Sequence, residues 1–198
     1  MQLSAATGAL ILFGTVQASM IGYALFRGER LQGWQLVGLS LALLGLLALL
    51  WPGLTAPPLV AAVLMMIAGI SWAVYSINGK RQGAPLLATA GNFLRTLPIT
   101  MVLSLIFIPD FAISNHGIIY ALLSGALTSG IGYAIWYAAL PKLTGSEAAT
   151  VQLSVPVIVA IGGVLLLSEP LLWREVLASA TILGGVYLVI RRNSRAPL

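Results

Sequence analysis

Two polar side chains, Asn92 and Arg95, lie three residues apart inside the apolar stretch 86–108. On a helix this spacing puts both side chains on one face. A guanidinium next to an amide could bind a carboxylate or another anionic group. Arg95 lies about nine residues into the stretch, or roughly 13 Å from its start. A charge at that depth usually faces a cavity or a partner. The alternative is an arginine whose side chain extends to the nearer membrane surface, and the sequence leaves both open.

Aromatic side chains occur inside two other apolar stretches. Tyr133, Trp136 and Tyr137 have the spacing of one helical face, and Trp72 lies well inside the stretch 59–79. Such faces could line a cavity for flat or apolar molecules, so Trp72, Tyr133 and Trp136 are predicted to contact a substrate. The alternative for Trp136 and Tyr137 is a belt of aromatic residues at the membrane surface.

Gln152 lies four residues before Pro156 in a further apolar stretch. Proline has no N–H group and leaves a backbone carbonyl without its helical partner. A free carbonyl beside a buried amide could bind substrate or form a hinge. The alternative for Gln152 is a hydrogen bond between neighbouring helices. Pro98 is predicted to kink the helix that carries Arg95.

Patterns typical of catalysis are absent from the sequence. It contains one histidine, His116, and no cysteine. It has no glycine-rich phosphate loop, no paired histidines and no Ser–His–carboxylate set. The sequence therefore predicts no enzyme activity, no metal site and no cofactor. It also has no platform of basic and aromatic residues of the kind that binds nucleic acid.

The composition indicates where these side chains must be placed. Of 198 residues, 59% are hydrophobic and 8% are charged, whereas a soluble domain carries about 25% charged residues. Together with a mean hydropathy of +1.00, this predicts an all-α membrane protein. A spanning helix needs roughly 20 apolar residues. Seven stretches qualify: 4–26, 35–51, 59–79, 86–108, 117–139, 148–168 and 171–190.

Basic residues predict how these helices cross the membrane. Eight of the ten Lys and Arg residues fall in regions that seven crossings place on one side, namely Arg27, Arg30, Lys80, Arg81, Lys142, Arg191, Arg192 and Arg195. The loops on the other side contain only Arg174. Because basic residues favour the cytoplasmic side, the C-terminus is predicted to be cytoplasmic and the N-terminus of this chain to lie outside.

The first two predicted helices resemble the last two. Residues 4–14 align with 147–157, residues 28–34 align with 168–174, and Gly45 then falls on Gly185. Chance similarity between Leu- and Ala-rich segments is the alternative. Five helices separate the start of one copy from the start of the other. An odd number makes the two copies cross the membrane in opposite senses, which is a recurring plan of secondary transporters.

Several segments resemble the EamA-type family of the drug/metabolite transporter superfamily. They are GERLQGWQLVGLSLALLGLLALL at 28–50, GISWAVYSINGK at 69–80, GNFLR at 91–95, SGIGYAIWYAALPKLTGSEAATVQLSVPVI at 129–158 and LSEPL at 167–171. The resemblance implies ten helices in two inverted five-helix repeats. Residues 1–51 would then hold the last two helices of the first repeat, 52–58 a loop, 59–190 a complete second repeat and 191–198 a basic cytoplasmic tail. The family's first three helices would be missing before Met1.

The resemblance implies a secondary transporter or exporter of small organic metabolites in the bacterial inner membrane. Alternating access would move two inverted repeats about a central cavity. Asn92 and Arg95 would bind a polar or anionic group, and Trp72, Tyr133, Trp136 and Gln152 would line the remainder. The alternative is a truncated membrane scaffold, partner subunit or remnant that transports nothing. The expected partners are the lipid bilayer and a small-molecule substrate. A homodimer, or a partner that supplies the missing helices, is left open.

Overall fold

A computed structural model describes residues 3–51, 54, 56–80, 83–106, 114–167, 170 and 172–191. Most of the predicted tail 191–198, three residues of the predicted loop 52–58, and Arg81 lie outside the described residues.

The described residues are helical and include no β-strand. The α-helices are α1 (Ala5–Phe26), α2 (Gly33–Leu50), α3 (Leu59–Gly79), α4 (Pro85–Ile106), α5 (Asn115–Leu122), α6 (Gly130–Ala139), α7 (Gly145–Val151), α8 (Ser154–Leu167) and α9 (Trp173–Ile190). A π-helix, Leu123–Ser129, joins α5 to α6, and a short 3-10 helix, Leu140–Lys142, follows α6.

Seven helical stretches among the described residues are long and apolar enough to cross a membrane. They confirm the seven predicted spans, and their ends lie within a few residues of the predicted ones. Two spans differ internally from a regular α-helix. The fifth contains the π-helix, and the sixth is interrupted after Val151 and continues as α8 from Ser154.

The chain divides into two compact units. Unit 1 comprises residues 1–75 and 143–198, and unit 2 comprises residues 76–142. The buried core of unit 1 brings together residues that are far apart in the sequence: Phe13, Ala42, Leu46, Leu153, Val157, Ile182 and Val186.

Helices α2 and α9 of unit 1 pack closely, because small residues face each other along their seam. A methyl group added at Gly38 would lie 2.7 Å from the Gly185 carbonyl oxygen. One added at Gly45 would lie 3.0 Å from the Ala178 carbonyl oxygen. Contact pairs run in opposite directions along the two helices, so the helices are antiparallel. Without a hydrophobic driving force in lipid, such close backbone packing is a main source of helix association.

Gly185→Ala is expected to destabilise the chain by about 2 kcal/mol, the typical cost of overpacking a tight interior. The added methyl group would overlap the Gly38 carbonyl oxygen and the Ala42 backbone nitrogen, neither of which can rotate away. Unfolding in detergent, followed by circular dichroism, would measure the loss.

The matched control is Gly184→Ala on the same helix, where nothing lies within 4 Å of an added methyl group. This variant should be neutral or slightly stabilising, because alanine favours helix over glycine by about 1 kcal/mol. Equal stability of the two variants would contradict the close approach of α2 and α9.

Candidate functional site

Unit 2 contains an open cleft between α4 and the fifth span. Its volume is about 790 Å³, within the size range of small-molecule sites. The described residues that line it are Leu86, Thr89, Ala90, Phe93, Leu94, Thr96, Leu97, Thr100, Gly125, Ser129, Gly130 and Tyr133. The cleft is therefore mainly apolar, with hydroxyl groups along both walls.

The hydroxyl groups of the cleft are oriented by their own helices. Thr96 Oγ1 donates to the Phe93 carbonyl at 2.7 Å, and Thr100 Oγ1 donates to the Leu97 carbonyl at 2.9 Å. On the opposite wall, Ser129 Oγ donates to the Ser124 carbonyl at 2.9 Å. A hydroxyl whose hydrogen is already used can still accept through its oxygen lone pairs. The walls thus favour a ligand that donates hydrogen bonds, such as an ammonium group.

Aromatic rings close one side of the cleft. The Phe93 and Tyr133 rings meet edge to face, with centroids 5.8 Å apart. Tyr133 in turn stacks on Tyr137 at 6.0 Å with an interplanar angle of 20°. Tyr137 is buried and leaves no room for a side chain at Gly79. This stack fixes the position of Tyr133, the predicted site residue that lines the cleft.

The π-helix forms part of the same wall. Gly125 and Gly130 line the cleft from Leu123–Ser129 and from the first position of α6. Thr128 and Ser129 both donate to the Ser124 carbonyl oxygen, at 2.7 and 2.9 Å. Single π-turns are rare and occur frequently at functional sites. The apolar stretch 117–139 predicts a regular helix here, and this irregularity differs from that prediction.

The residues of α4 that line the cleft recur with the helical period and so share one face of the helix. Arg95 falls on the opposite face and therefore projects away from the cleft. Its Nη1 donates to Asn92 Oδ1 at 3.1 Å. The guanidinium turns back along the helix towards Gly91, where an added methyl group would lie 3.7 Å from Nη1. The two side chains therefore contact each other on one side of the helix, as their spacing predicts, and their binding of a substrate stays a prediction. Among the described residues no carboxylate lies within ion-pair distance of Arg95.

The two predicted tryptophans are both half-buried. Trp72 belongs to unit 1, where its ring lies 5.9 Å from that of Phe13. Trp136 belongs to unit 2, on α6, and is not among the described residues that line the cleft. Their roles as substrate contacts stay predictions.

Gln152 lies in unit 1 at the interruption between α7 and α8 and is 4% exposed. Its Nε2 lies 3.1 Å from Met20 Sδ and 3.5 Å from the Ala148 carbonyl oxygen. Gln17 of α1, 2% exposed, donates from Nε2 to the Ala149 carbonyl at 2.6 Å. The two amides thus bind adjacent carbonyls of α7. In both residues Oε1 has no hydrogen-bond partner in the structure.

The two predicted hinge prolines are placed differently. Pro98 lies inside α4, which is helical from Pro85 to Ile106. Pro156 is the third residue of α8. The first turn of a helix has no intrahelical partner for its N–H groups, so proline removes no bond there. The interruption at Gln152 and Leu153 therefore comes before Pro156 and not at it.

Glu29 connects the end of α1 to the start of α7. Gly28, with a φ of 88°, ends α1, and the Glu29 N–H donates to the Ala24 carbonyl at 2.9 Å. This turn is the Schellman motif, which favours glycine at the left-handed position. The Glu29 carboxylate then accepts from the N–H groups of Gly145 at 3.0 Å and Ser146 at 3.2 Å. Thr144 caps the next N–H, that of Glu147, so the first turn of α7 is satisfied.

Of the twelve described residues that line the cleft, the sequence predicted Tyr133 alone. Three of the others, Phe93, Thr96 and Thr100, lie on α4. They are spaced three, four and seven positions apart, which is the signature of one helical face. That spacing could have been read from the sequence. The partners of Glu29 carried no such signal, because they lie more than a hundred positions away and are backbone groups.

Comparisons with known proteins agree with this architecture. Residues 59–191 match the profile of the EamA-like transporter family. An uncharacterized protein of Pseudomonas aeruginosa is 52% identical over 189 residues, covering 96% of this chain and 66% of its own length. The threonine/homoserine exporter RhtA of Salmonella typhimurium is 32% identical over 164 residues, covering 77% of this chain and 54% of its own length.

A probable amino-acid metabolite efflux pump of Escherichia coli is 28% identical and covers 85% of this chain and 61% of its own length. A crystal structure of a protein superposes with a TM-score of 0.80 at 20% identity, over 94% of this chain and 67% of that one. The chain thus spans about half to two thirds of the length of these curated relatives. The family match and the seven apolar helices among the described residues show that the chain is an integral membrane protein.

Glu29→Gln is expected to destabilise the chain by about 2 kcal/mol, because hydrogen bonds to a charged acceptor contribute about 1.5–3 kcal/mol. The anchoring of α7 to the end of α1 would weaken, and chemical unfolding in detergent would measure it. Glu175→Gln is the control, since among the described residues Glu175 accepts a hydrogen bond from Leu172 N, at 3.3 Å, within its own helix start, and lies 3.7 Å from the neighbouring Arg174. Its expected cost is below about 1 kcal/mol. A larger loss for Glu175→Gln than for Glu29→Gln would disprove the anchoring role.

Proposed function

This chain belongs to the EamA-like transporter family, and from that premise we propose that it exports small organic metabolites across the inner membrane. The observation that carries the proposal is the family match of residues 59–191. Relatives that are named threonine/homoserine exporter and probable amino-acid metabolite efflux pump indicate amino acids and their derivatives as the substrate class.

The cleft of unit 2 is the binding site in this proposal. An amino-acid substrate carries an ammonium group, and the hydroxyl oxygens of Thr96, Thr100 and Ser129 can accept its hydrogen bonds. Phe93 and Tyr133 would contact the substrate's apolar part and attract a cation through their ring faces. The groups that this cleft presents are thus those that such a substrate requires.

Asn92 and Arg95 form a separate anion-binding pair on the other side of α4. Arg95 has five N–H donors, and Asn92 Oδ1 orients the guanidinium through one of them. The remaining donors can bind a carboxylate with two parallel hydrogen bonds. In the proposal this pair attracts the substrate's carboxylate as it moves past α4. Trp72 and Gln152 of unit 1 and Trp136 of unit 2 stay predicted substrate contacts.

Alternating access requires two structurally related parts that move against each other. The seam between α2 and α9 supports such a relation. Gly45 lies against Ala178 and Ile182, while Gly185 lies against Gly38 and Ala42. The offset that aligns Gly45 with Gly185 also aligns Gly38 with Ala178 and Ala42 with Ile182. The contact therefore has the reciprocal pattern of a two-fold axis between inverted repeats.

The starts of the same helices repeat this pattern. Gln35 Oε1 accepts from Gln32 N at 2.9 Å before α2, and Glu175 Oε2 accepts from Leu172 N at 3.3 Å before α9. Both pairs agree with the offset of the seam. The orientation in the membrane rests on a separate argument: the distribution of basic residues supports a crossing in which the C-terminus faces the cytoplasm.

Filling the cleft should stop transport. Gly130→Phe places a ring in the cleft wall and is expected to lower export of labelled threonine at least tenfold, because the substrate loses its volume. Gly132→Phe is the matched control, since an added methyl group there has nothing within 4 Å and Gly132 is not a lining residue. Export of labelled threonine by both variants would be measured in reconstituted vesicles. Equal transport by the two variants would show that the cleft is not part of the transport pathway.

The unchanged protein tests the proposal as a whole. If it transported none of a panel of amino acids and their derivatives, the non-transporting alternative would replace the proposal.

The anion-binding role of Arg95 is tested separately. Arg95→Ala is expected to raise the KM for threonine about tenfold, because about 1.5–3 kcal/mol of a charge-assisted hydrogen bond is lost. Arg95→Lys should recover part of the loss, since it restores charge without the planar fork. An unchanged KM in Arg95→Ala would favour the alternative in which the Arg95 side chain extends to the membrane surface and binds no substrate.

Trp72→Ala, measured in the same vesicles, tests the predicted aromatic contact. Unchanged transport in both Arg95→Ala and Trp72→Ala would refute the predicted site.

A further inference from the structure

A narrow groove lies on the outer surface of unit 1, between α2 and the start of α9. Its volume is about 420 Å³, and its described lining residues are Leu44, Leu47, Ala48, Trp51 and Arg174. The four residues of the α2 side are spaced three, four and seven positions apart, so they form one stripe along the helix. Arg174 supplies the single charged group of this lining.

The groove follows the axis of α2 and ends just beyond the last residue of that helix. Its stripe covers about 10 Å of helix at 1.5 Å per residue. Helices α2 and α9 each have 18 residues, or about 27 Å, close to the thickness of a bilayer's hydrocarbon core. Trp51 directly follows α2 and Arg174 is the second residue of α9. The antiparallel pairing of the helices brings these two residues to one level, at the membrane surface.

Among the described residues, the Arg174 guanidinium has N–H groups that are available to bind a ligand. Its one ion-pair partner among the described residues is Glu175, at 3.7 Å, beyond hydrogen-bond distance. The other carboxylate oxygen of Glu175 accepts from Leu172 N. The Arg174 side chain is 45% exposed, and the positive end of the α9 dipole lies beside it. A phosphate group at this level would therefore meet a cation, free N–H donors and a favourable dipole.

We propose that this groove binds one membrane phospholipid, whose phosphate lies on Arg174 and one of whose acyl chains lies along Leu44, Leu47 and Ala48. An acyl chain has the shape, direction and apolar character of the groove. Leu44 is 61% exposed and Trp51 is 66% exposed, so the groove is open to lipid along its length. Trp51 lies at the headgroup level, where indole rings are favoured. Arg174 is also the exception in a chain whose other loop arginines and lysines are predicted to be cytoplasmic, and a lipid phosphate gives it a partner.

Tryptophan fluorescence tests this proposal on the whole chain in detergent. The probe is phosphatidylglycerol with brominated acyl chains, which quenches nearby indoles. Quenching is measured in the unchanged protein and in Trp51→Phe. The difference between the two is the contribution of Trp51, separated from that of the other four tryptophans. The expected result is saturable quenching of Trp51. Arg174→Gln should weaken binding about tenfold, as expected for loss of a charge-assisted hydrogen bond.

Two further variants and two further ligands make the result decisive. Ala48→Phe fills the groove and should weaken binding with Arg174 intact, and both substitutions affect exposed residues that the fold tolerates. Arg27→Gln, an exposed cation at the end of α1, should bind as the unchanged protein does. Brominated diacylglycerol lacks the phosphate. Its affinity for the unchanged protein should be no higher than the affinity of phosphatidylglycerol for Arg174→Gln. Equal affinity of Arg174→Gln and the unchanged protein, or of the two lipids, would overturn the proposal. Displacement of the lipid by inorganic phosphate would reassign the site to a free anion.

Discussion

Every backbone amide and carbonyl inside a bilayer has to find a partner within the protein, because lipid tails offer none. The interruption between α7 and α8 shows how the chain meets this constraint. Gln17 donates to the Ala149 carbonyl, Ser154 Oγ donates to the Val151 carbonyl, and Leu153 N donates to the Thr150 carbonyl. Two side chains and one backbone N–H therefore bind carbonyls at the point where the helix is interrupted. The sixth span can bend here without leaving polar backbone groups in lipid.

The same constraint explains why unit 1 depends on contacts between distant parts of the sequence. Glu29 satisfies the first N–H groups of α7 from a turn that Gly28 creates, and Gly145 lets it approach because a side chain there would meet Ala24. Along α2 and α9, glycines take the place of larger residues so that backbones touch. In a medium that gives no hydrophobic reward for burial, such close packing and hydrogen bonding hold helices together.

Helix α4 divides the chemistry of unit 2 between its two sides. One side faces a cleft with hydroxyl acceptors and aromatic rings, and the other carries Arg95 and Asn92. The Arg95 guanidinium turns back along the helix and donates to Asn92 Oδ1. A substrate with both an ammonium and a carboxylate group would use these sides for different contacts. The proposed export of amino acids would use this division.

The sequence by itself determined the number, length and approximate ends of the spanning helices, because apolar run length is a local property. It also paired Asn92 with Arg95 and identified the family, since helical spacing and motifs are local too. Only the tertiary structure decided that Arg95 faces away from the cleft, that the sixth span is interrupted before Pro156, and that Glu29 caps α7. The physical reason is that apolar side chains surround each helix here. Within lipid, no polar face marks the outside of a helix, so contacts between distant residues determine which side faces a neighbour.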